Sequence, residues 1–525
     1  MVAPSADGMR PPEVRTERGS VRGAWEAVGG WRGSGAGAGA GPDAGAGVAA
    51  GAVAVFRGIP YAAPPVGARR FAAPSAPRAW DGVRETVEFG PTPQRGERGI
   101  TLIPEHSIPG DDTLSVNVWT PDPSPAARLP VVVWIHGGGY ISGSPASPWY
   151  DGCTFARDGV VFVSLSYRLG FTGFGWIEGT TANRGVLDWV AALEWVQRNI
   201  AAFGGDADRV TIAGQSAGGG AVLTLLGVPA ARGLFCGGYA MSAAIADPSV
   251  AAAAERTRAL ARVARVIGDV DGLSTIPEAR LLELERRITA PAAPHLLRDL
   301  HGMLRSGLMI GPIADGDVVP GDTLASVAHG PNAGVPLVLG SADDELVGMF
   351  PPRPLLDHLP RRGVLRALGA DGAAADRWLA DPEAIATESS VVLVGRYATD
   401  AVFRSWVPRV AGARSASPAS GATWSYRFAW HAPESELGAP HHAGHCVDVP
   451  FVFDRLDAAG VERVAGARPP QALADAVHGT LVAFAESGDP GWAADDGGTG
   501  PSRIFDAPVR DELDAYASAR KLLSV

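Results

Sequence analysis

The sequence predicts an α/β protein: a mostly parallel central sheet with helices packed on both faces. Three observations predict it. Apolar runs such as Val131 to Ile135 ("VVVWI") are short enough for strands but lack polar alternation, so both sides of their sheet must be covered. Between such runs, apolar residues recur at 190, 193, 196 and 200, one stripe of a helix over 187–203. The chain of 525 residues is also 46% hydrophobic and 19% charged, enough to bury a large core.

Residues 1–12 read as a loose tail, and 29–51 is a Gly/Ala run too poor in side chains to pack, hence a flexible insertion. Within it Gly45, Gly47 and Ala50 match a G-x-G-x-x-A spacing. With neither a strand before it nor a helix after it, that spacing reads as loop. The run 131–135 follows Pro130 and stops at glycines, and 160–165 ("VVFVSL") predicts the next buried strand. The helix over 187–203 ends at Gly204-Gly205. Further strands are predicted at 210–213, 335–339 and 424–430, while 245–310 and 351–420 read as mostly helical additions. Length alone predicts two to four domains.

A net charge of −11 supplies no basic field for nucleic acid or anionic lipid, so neither is expected as a partner. Cys153, Cys236 and Cys446 are odd in number and far apart, forming no disulfide framework and no metal pair, which suits a reducing compartment. The start "MVAPSADGMRPPEV" lacks the apolar core of a signal peptide, and no run of about eighteen apolar residues occurs. Cytoplasmic residence is the expectation.

Chemistry first surfaces at Gly214-Gln215-Ser216-Ala217-Gly218. This G-x-S-x-G stands between a strand and a helix, where a sharp turn lifts a serine hydroxyl clear of the sheet. Upstream, "IHGGGY" follows the strand 131–135, and its glycines let backbone N–H groups converge on one point. Gly138, Gly139 and the N–H of Ala217 are the expected oxyanion hole. A serine nucleophile needs a base. The richest cluster, "PHHAGHCVDVPFVF", offers His441, His442 and His445, among which spacing alone does not choose. The orienting acid should follow a strand between them in sequence, and Asp343, Asp344 and Glu345 follow 335–339.

These motifs, with "FRGIPYAAPPVGARRF" (56–71), "DDTLSVNVWTP" (111–121), "SYRLGFTGF" (166–174), "NRGVLDW" (183–189), "NIAAFGGDADRVTIAGQSAGG" (199–219) and "GPIADGDVVP" (311–320), resemble the type-B carboxylesterase/lipase family. That family holds bacterial p-nitrobenzyl esterases and the cholinesterases. The resemblance runs from about residue 14 to 492 and implies the α/β-hydrolase fold as a single domain over 13–525. It puts the nucleophile on Ser216, the acid on Glu345 and the base on His445, leaving Asp448 as a structural neighbour. It also implies ion pairs Arg70–Asp111 and Arg168–Asp188, and brings Ser242 close to the triad. Departures are Gln215 for a usual glutamate, Leu346 for the glycine after the acid, Thr113 for a cysteine, Trp189 for a glutamine, and Met241-Ser242-Ala243 for "QSG".

The implied reaction is ester hydrolysis through an acyl-enzyme on Ser216, with a small-molecule ester as partner, no metal or organic cofactor, and a monomer expected. Activity should fall as pH drops below an ordinary histidine pKa of ~6.5. Other readings are an amide, carbamate or thioester hydrolase using the same residues, a non-catalytic binding protein on this fold, and a metal hydrolase using His441, His442 and His445.

Overall fold

The computed structural model describes residues 10–28, 51–96, 102–289, 304, 307–349, 358–382, 385, 387, 389–433 and 441–523. The insertion expected over 29–51 lies outside them apart from Gly51, as does the expected tail up to residue 9. The described strands are β1 (Glu13–Arg15), β2 (Ser20–Arg22), β3 (Ala24–Ala27), β4 (Ala52–Pro60), β5 (Val83–Glu85), β6 (Ser115–Thr120) and β7 (Leu129–Ile135). They continue with β8 (Val161–Leu165), β9 (Gly205–Gln215), β10 (Gly237–Met241), β11 (Leu337–Ala342), β12 (Thr423–Phe428), β13 (Pro501–Phe505) and β14 (Arg510–Leu513). One sheet of eleven strands has the order β14-β13-β12-β11-β10-β9-β7-β8-β6-β4-β3, and β1, β2 and β5 form a small second sheet. From β13 to β8 every pairing is parallel, while β14 at one end and β6, β4 and β3 at the other pair antiparallel. The mostly parallel sheet expected from the sequence is present.

The residues of β7 show why its run has no polar alternation. Val131, Val133 and Ile135 join one buried cluster with Trp189, Leu193 and Val196 of the helix Arg184–Asn199. Val132 and Trp134 point the other way, into a cluster with Leu473, Val477, Leu481 and Phe484 of the helix Gln471–Ser487. Each large side chain so buried contributes about 1.5–3 kcal/mol, and both faces need helices to collect it. Among the described residues no helix is long and apolar enough to cross a membrane.

Boundaries differ from the expected ones for local reasons. The helix expected from 187 begins at Arg184, whose buried guanidinium is satisfied by the carbonyls of Phe171, Thr172, Gly175 and Thr181. Its last turn, Ile200–Phe203, tightens to a 3-10 helix before Gly204. β11 starts at Leu337 rather than 335, because the N–H of Val335 closes a turn on Asn332 and Pro336 has no N–H to give. β12 stops at Phe428, since the N–H groups of Ala429 and Trp430 both turn to the carbonyl of Phe505. The segment 245–310 carries helices Val250–Ala264, Val270–Ser274 and Glu278–Thr289. The segment 351–420 carries Arg361–Ala367, Gly372–Leu379, Ser390–Thr399, a π-helical turn Asp400–Arg404, and Trp406–Ser415.

The two expected ion pairs part company. Arg168 and Asp188 meet at 2.7 Å with side chains 3% and 0% exposed, and the carboxylate also accepts the N–H of Arg168 at 3.0 Å. Arg70 and Asp111 do not pair. Asp111 is exposed and solvated, whereas Arg70 turns inward, donates to the carbonyl of Ile276 at 2.6 Å and lies over the ring of Phe71. An exposed carboxylate gains little from such a pair, and Arg70 keeps one donor on a carbonyl while its Nη2 has no partner among the described residues.

Candidate active site

Ligands of open α/β sheets bind beyond the carboxyl ends of the strands, and four such ends supply this site. β7 runs into Gly137–Gly139, β9 into Ser216, β11 into Glu345, and β12 leads to the loop bearing His445.

Ser216 occupies the turn between β9 and the helix Ala217–Leu225 with φ 58 and ψ −122, a conformation that L residues rarely adopt. Its N–H is anchored on the carbonyl of Met241 at 2.9 Å. The neighbours are small because the chain folds back on itself. A Cβ on Gly218 would stand 1.9 Å from the carbonyl oxygen of Ile135, and one on Gly214 would meet the backbone of Gly218 at 2.6 Å. Ser216 as a residue is 8% exposed.

His445 Nε2 lies 3.1 Å from Ser216 Oγ, and His445 Nδ1 is hydrogen-bonded to Glu345 Oε2. The other carboxylate oxygen, Oε1, accepts the N–H of Ala342 at 2.8 Å, which fixes Glu345 at the end of β11. Burial disfavours a charged imidazole. The Cys446 sulfur and the Glu345 carboxylate outweigh that effect, and hold the His445 pKa well above the ordinary value near 6.5 expected from sequence. The ring side chain is 14% exposed.

The remaining candidates have other attachments. Asp343 is bidentate to Arg427 at 2.8 and 2.7 Å. Asp344 Oδ2 lies 3.2 Å from His442 Nδ1 and 3.5 Å from His431 Nε2, and accepts the N–H of Ala443 at 3.3 Å. Backbone bonds from Asp344 N–H to Ala443 and from His445 N–H to Glu345 join the acid turn to the histidine loop. His441 is exposed, and among the described residues no trio of His, Cys, Asp or Glu has metal-binding geometry. Ser242 is buried with φ 44; its N–H donates to Gly340, and its hydroxyl has no partner among the described residues.

Gly138 and Gly139 adopt φ of 106 and 61, a bend open to glycine. Gly137 comes so near the elbow that a Cβ there would touch Ser216 Cβ at 3.2 Å. The N–H groups of Gly138, Gly139 and Ala217 donate no hydrogen bond within the described chain. Beneath this loop His136 is fully buried, stacked on Tyr167 and bound through Nδ1 to the carbonyl of Gly137 at 2.8 Å. Burial lowers its pKa to about 4, so it is a neutral brace.

Two residues noted in the sequence, Gln215 and Asp448, take contacts there that spacing does not predict. Gln215 Nε2 stands 3.4 Å from His445 Nε2 and donates to Cys446 Sγ at 3.3 Å, so a neutral amide rests against the imidazole. Its place inside G-x-S-x-G was the available clue. Asp448 is buried beside Glu345, and among the described residues neither carboxyl oxygen has a side-chain hydrogen-bond partner. Burial and the charge of Glu345 raise its pKa to about 7, against a smaller opposing effect of His445 and nearby N–H groups.

Comparison with known proteins adds a separate line. A family model described as the carboxylesterase family matches residues 40–499. The para-nitrobenzyl esterase of Bacillus subtilis (strain 168) is 33% identical over 486 residues, 89% of this chain and 94% of that one. A phenmedipham hydrolase of Pseudarthrobacter oxydans is 33% identical, covering 83% and 87%. Among solved structures, a PNB esterase superposes with a TM-score of 0.80 at 30% identity, covering 98% of this chain and all of that one. A Geobacillus stearothermophilus carboxylesterase at pH 6.2 gives 0.78 at 31% identity, with the same coverage.

Proposed function

The chain belongs to the carboxylesterase family and cleaves carboxylic esters, and from that premise we propose that Ser216, His445 and Glu345 are its nucleophile, base and orienting acid. One observation carries the assignment: a single imidazole reaches Ser216 Oγ at 3.1 Å through one nitrogen and Glu345 through the other. His445 takes the serine proton as Ser216 attacks the ester carbonyl. Glu345 holds the tautomer that leaves Nε2 free and stabilises the imidazolium. The N–H groups of Gly138, Gly139 and Ala217 receive the oxyanion, each worth on the order of 3 kcal/mol. His445 then protonates the departing alcohol, and water releases the acid by the same steps in reverse order.

In the active form, once His445 has lost its proton, serine and imidazole are both neutral and only the transition state separates their charge. Gln215 keeps the elbow free of a second negative group that would tie up the base as imidazolium. Cytoplasmic residence is part of the same reading, supported by Cys153, Cys236 and Cys446 being free thiols. The test is Ser216→Ala: p-nitrophenyl ester hydrolysis and labelling by a fluorophosphonate should both vanish while the fold persists. Turnover retained by that variant would end the assignment. A panel of matched p-nitrophenyl esters, anilides and carbamates decides whether other acyl groups share the site.

A further inference from the structure

The helix Ser390–Thr399, the π-helical turn Asp400–Arg404 and the helix Trp406–Ser415 pass beside the acid and the base, yet belong to no catalytic motif. Three of their residues, each four apart, touch the apparatus. Gly395 allows the closest approach: a Cβ there would lie 2.5 Å from Val347 Cα. Thr399 Oγ1 accepts the N–H of Leu346, the residue after Glu345, at 3.0 Å. Phe403 lays its ring against His445, with centroids 5.0 Å apart and planes inclined by 39°.

The π-turn that sets Phe403 is itself held. Ser405 N–H donates to the carbonyl of Asp400 at 2.8 Å, closing the wide turn. The Asp400 carboxylate accepts Trp378 Nε1–H at 2.8 Å and pairs with Arg404 at 3.1 Å. π-turns are rare in helices and concentrate at functional sites. Here the wide turn sits where the helix meets the base.

We propose that Phe403 is a positioning residue for ester hydrolysis, holding the plane of His445 and stabilising the imidazolium formed when Ser216 gives up its proton. Hydrogen bonds at the two ring nitrogens fix the imidazole along one line but leave its faces free. The Phe403 ring restrains one face. A cation near an aromatic face is attracted by the ring quadrupole, most strongly away from water. The other groups facing His445 are Glu345 from the β11 turn, and Cys446 and Asp448 from its own loop. From the elbow come only neutral Gln215 and Ser216. From these helices, Arg404 is paired with Asp400 at 3.1 Å and Arg396 faces Asp344 at 3.9 Å. This inference rests on His445 being the base.

The test replaces Phe403 by mono-, di- and trifluorinated phenylalanine, which keep the ring's shape while draining charge from its face. The readouts are kcat, KM and the pH dependence of kcat/KM with p-nitrophenyl acetate. The acidic limb should move to lower pH with each fluorine, and kcat should fall stepwise, about three- to tenfold in total, with KM unchanged within about twofold. Phe403→Leu should extend both trends; if it fails to fold, the fluorinated series still decides. A limb and a kcat indifferent to fluorination, or a KM that rises alone, would overturn the role of Phe403. Turnover retained by His445→Ala would instead remove the triad on which it stands.

Discussion

Replacing Asp448 by asparagine should make the protein more stable above neutral pH, not less. The Asp448 carboxyl is buried against Glu345, and its pKa is raised to about 7 from the ordinary 3.8. In the unfolded chain it loses its proton near the ordinary value; in the fold it holds the proton to about neutrality. Between those points the folded state binds more protons, so stability falls as pH rises, and the loss is complete once pH passes the folded value. At about 1.36 kcal/mol per pH unit, the separation amounts to ~4 kcal/mol. Asparagine has nearly the same shape and no proton to lose, so it is spared that loss. Urea unfolding of Asp448→Asn and the native protein, followed through tryptophan fluorescence, should agree near pH 4. The two should then diverge by up to ~4 kcal/mol in favour of the variant at pH 8. A difference independent of pH, or a variant less stable at pH 8, would refute the reasoning.

Activity of the native enzyme should decline with falling pH from a midpoint above 6.5, because protonation of His445 removes the base and Glu345 favours that proton; a midpoint at or below 6.5 would contradict it. Gln215→Glu puts a charge where an amide now lies 3.4 Å from His445 Nε2. That charge should move the acidic limb upward by about one to two pH units, lowering kcat/KM at pH 7 at least tenfold with recovery at alkaline pH. An unmoved profile would deny the contact. Asp188→Ala strands a buried guanidinium and should cost about 3–5 kcal/mol in urea unfolding, whereas Asp111→Ala should stay within ~0.5 kcal/mol. Comparable losses for the two would restore the pairing of Arg70 with Asp111.

What could be read in the sequence was what leaves a local imprint. The double-sided burial of β7 erases polar alternation, and the crowding at Gly214 and Gly218 excludes any Cβ, so both the sheet and the elbow are written in consecutive residues. Choosing among three histidines and three acids was beyond spacing, because that choice is made by which loop faces which. The backbone bonds between 344 and 443 and between 445 and 345 span about a hundred residues. The Arg70–Asp111 pairing failed for a related reason. A motif transfers residue types, while the carbonyl of Ile276 that captures Arg70 comes from a segment with no matched motif. Phe403 was invisible for the same cause, since one aromatic residue in a helical stretch reads as core until its neighbour is known.

The separation along the polypeptide of the three side chains proposed to react has a kinetic corollary. The hydroxyl and the imidazole lie 229 positions apart, and the imidazole and its carboxylate 100. No short fragment can bring them into register, and contacts this remote close late in folding. Regain of turnover after denaturation is therefore expected to trail signals from helices or local hairpins. A synthesising ribosome would release a competent esterase only after the loop beyond β12 has emerged and docked.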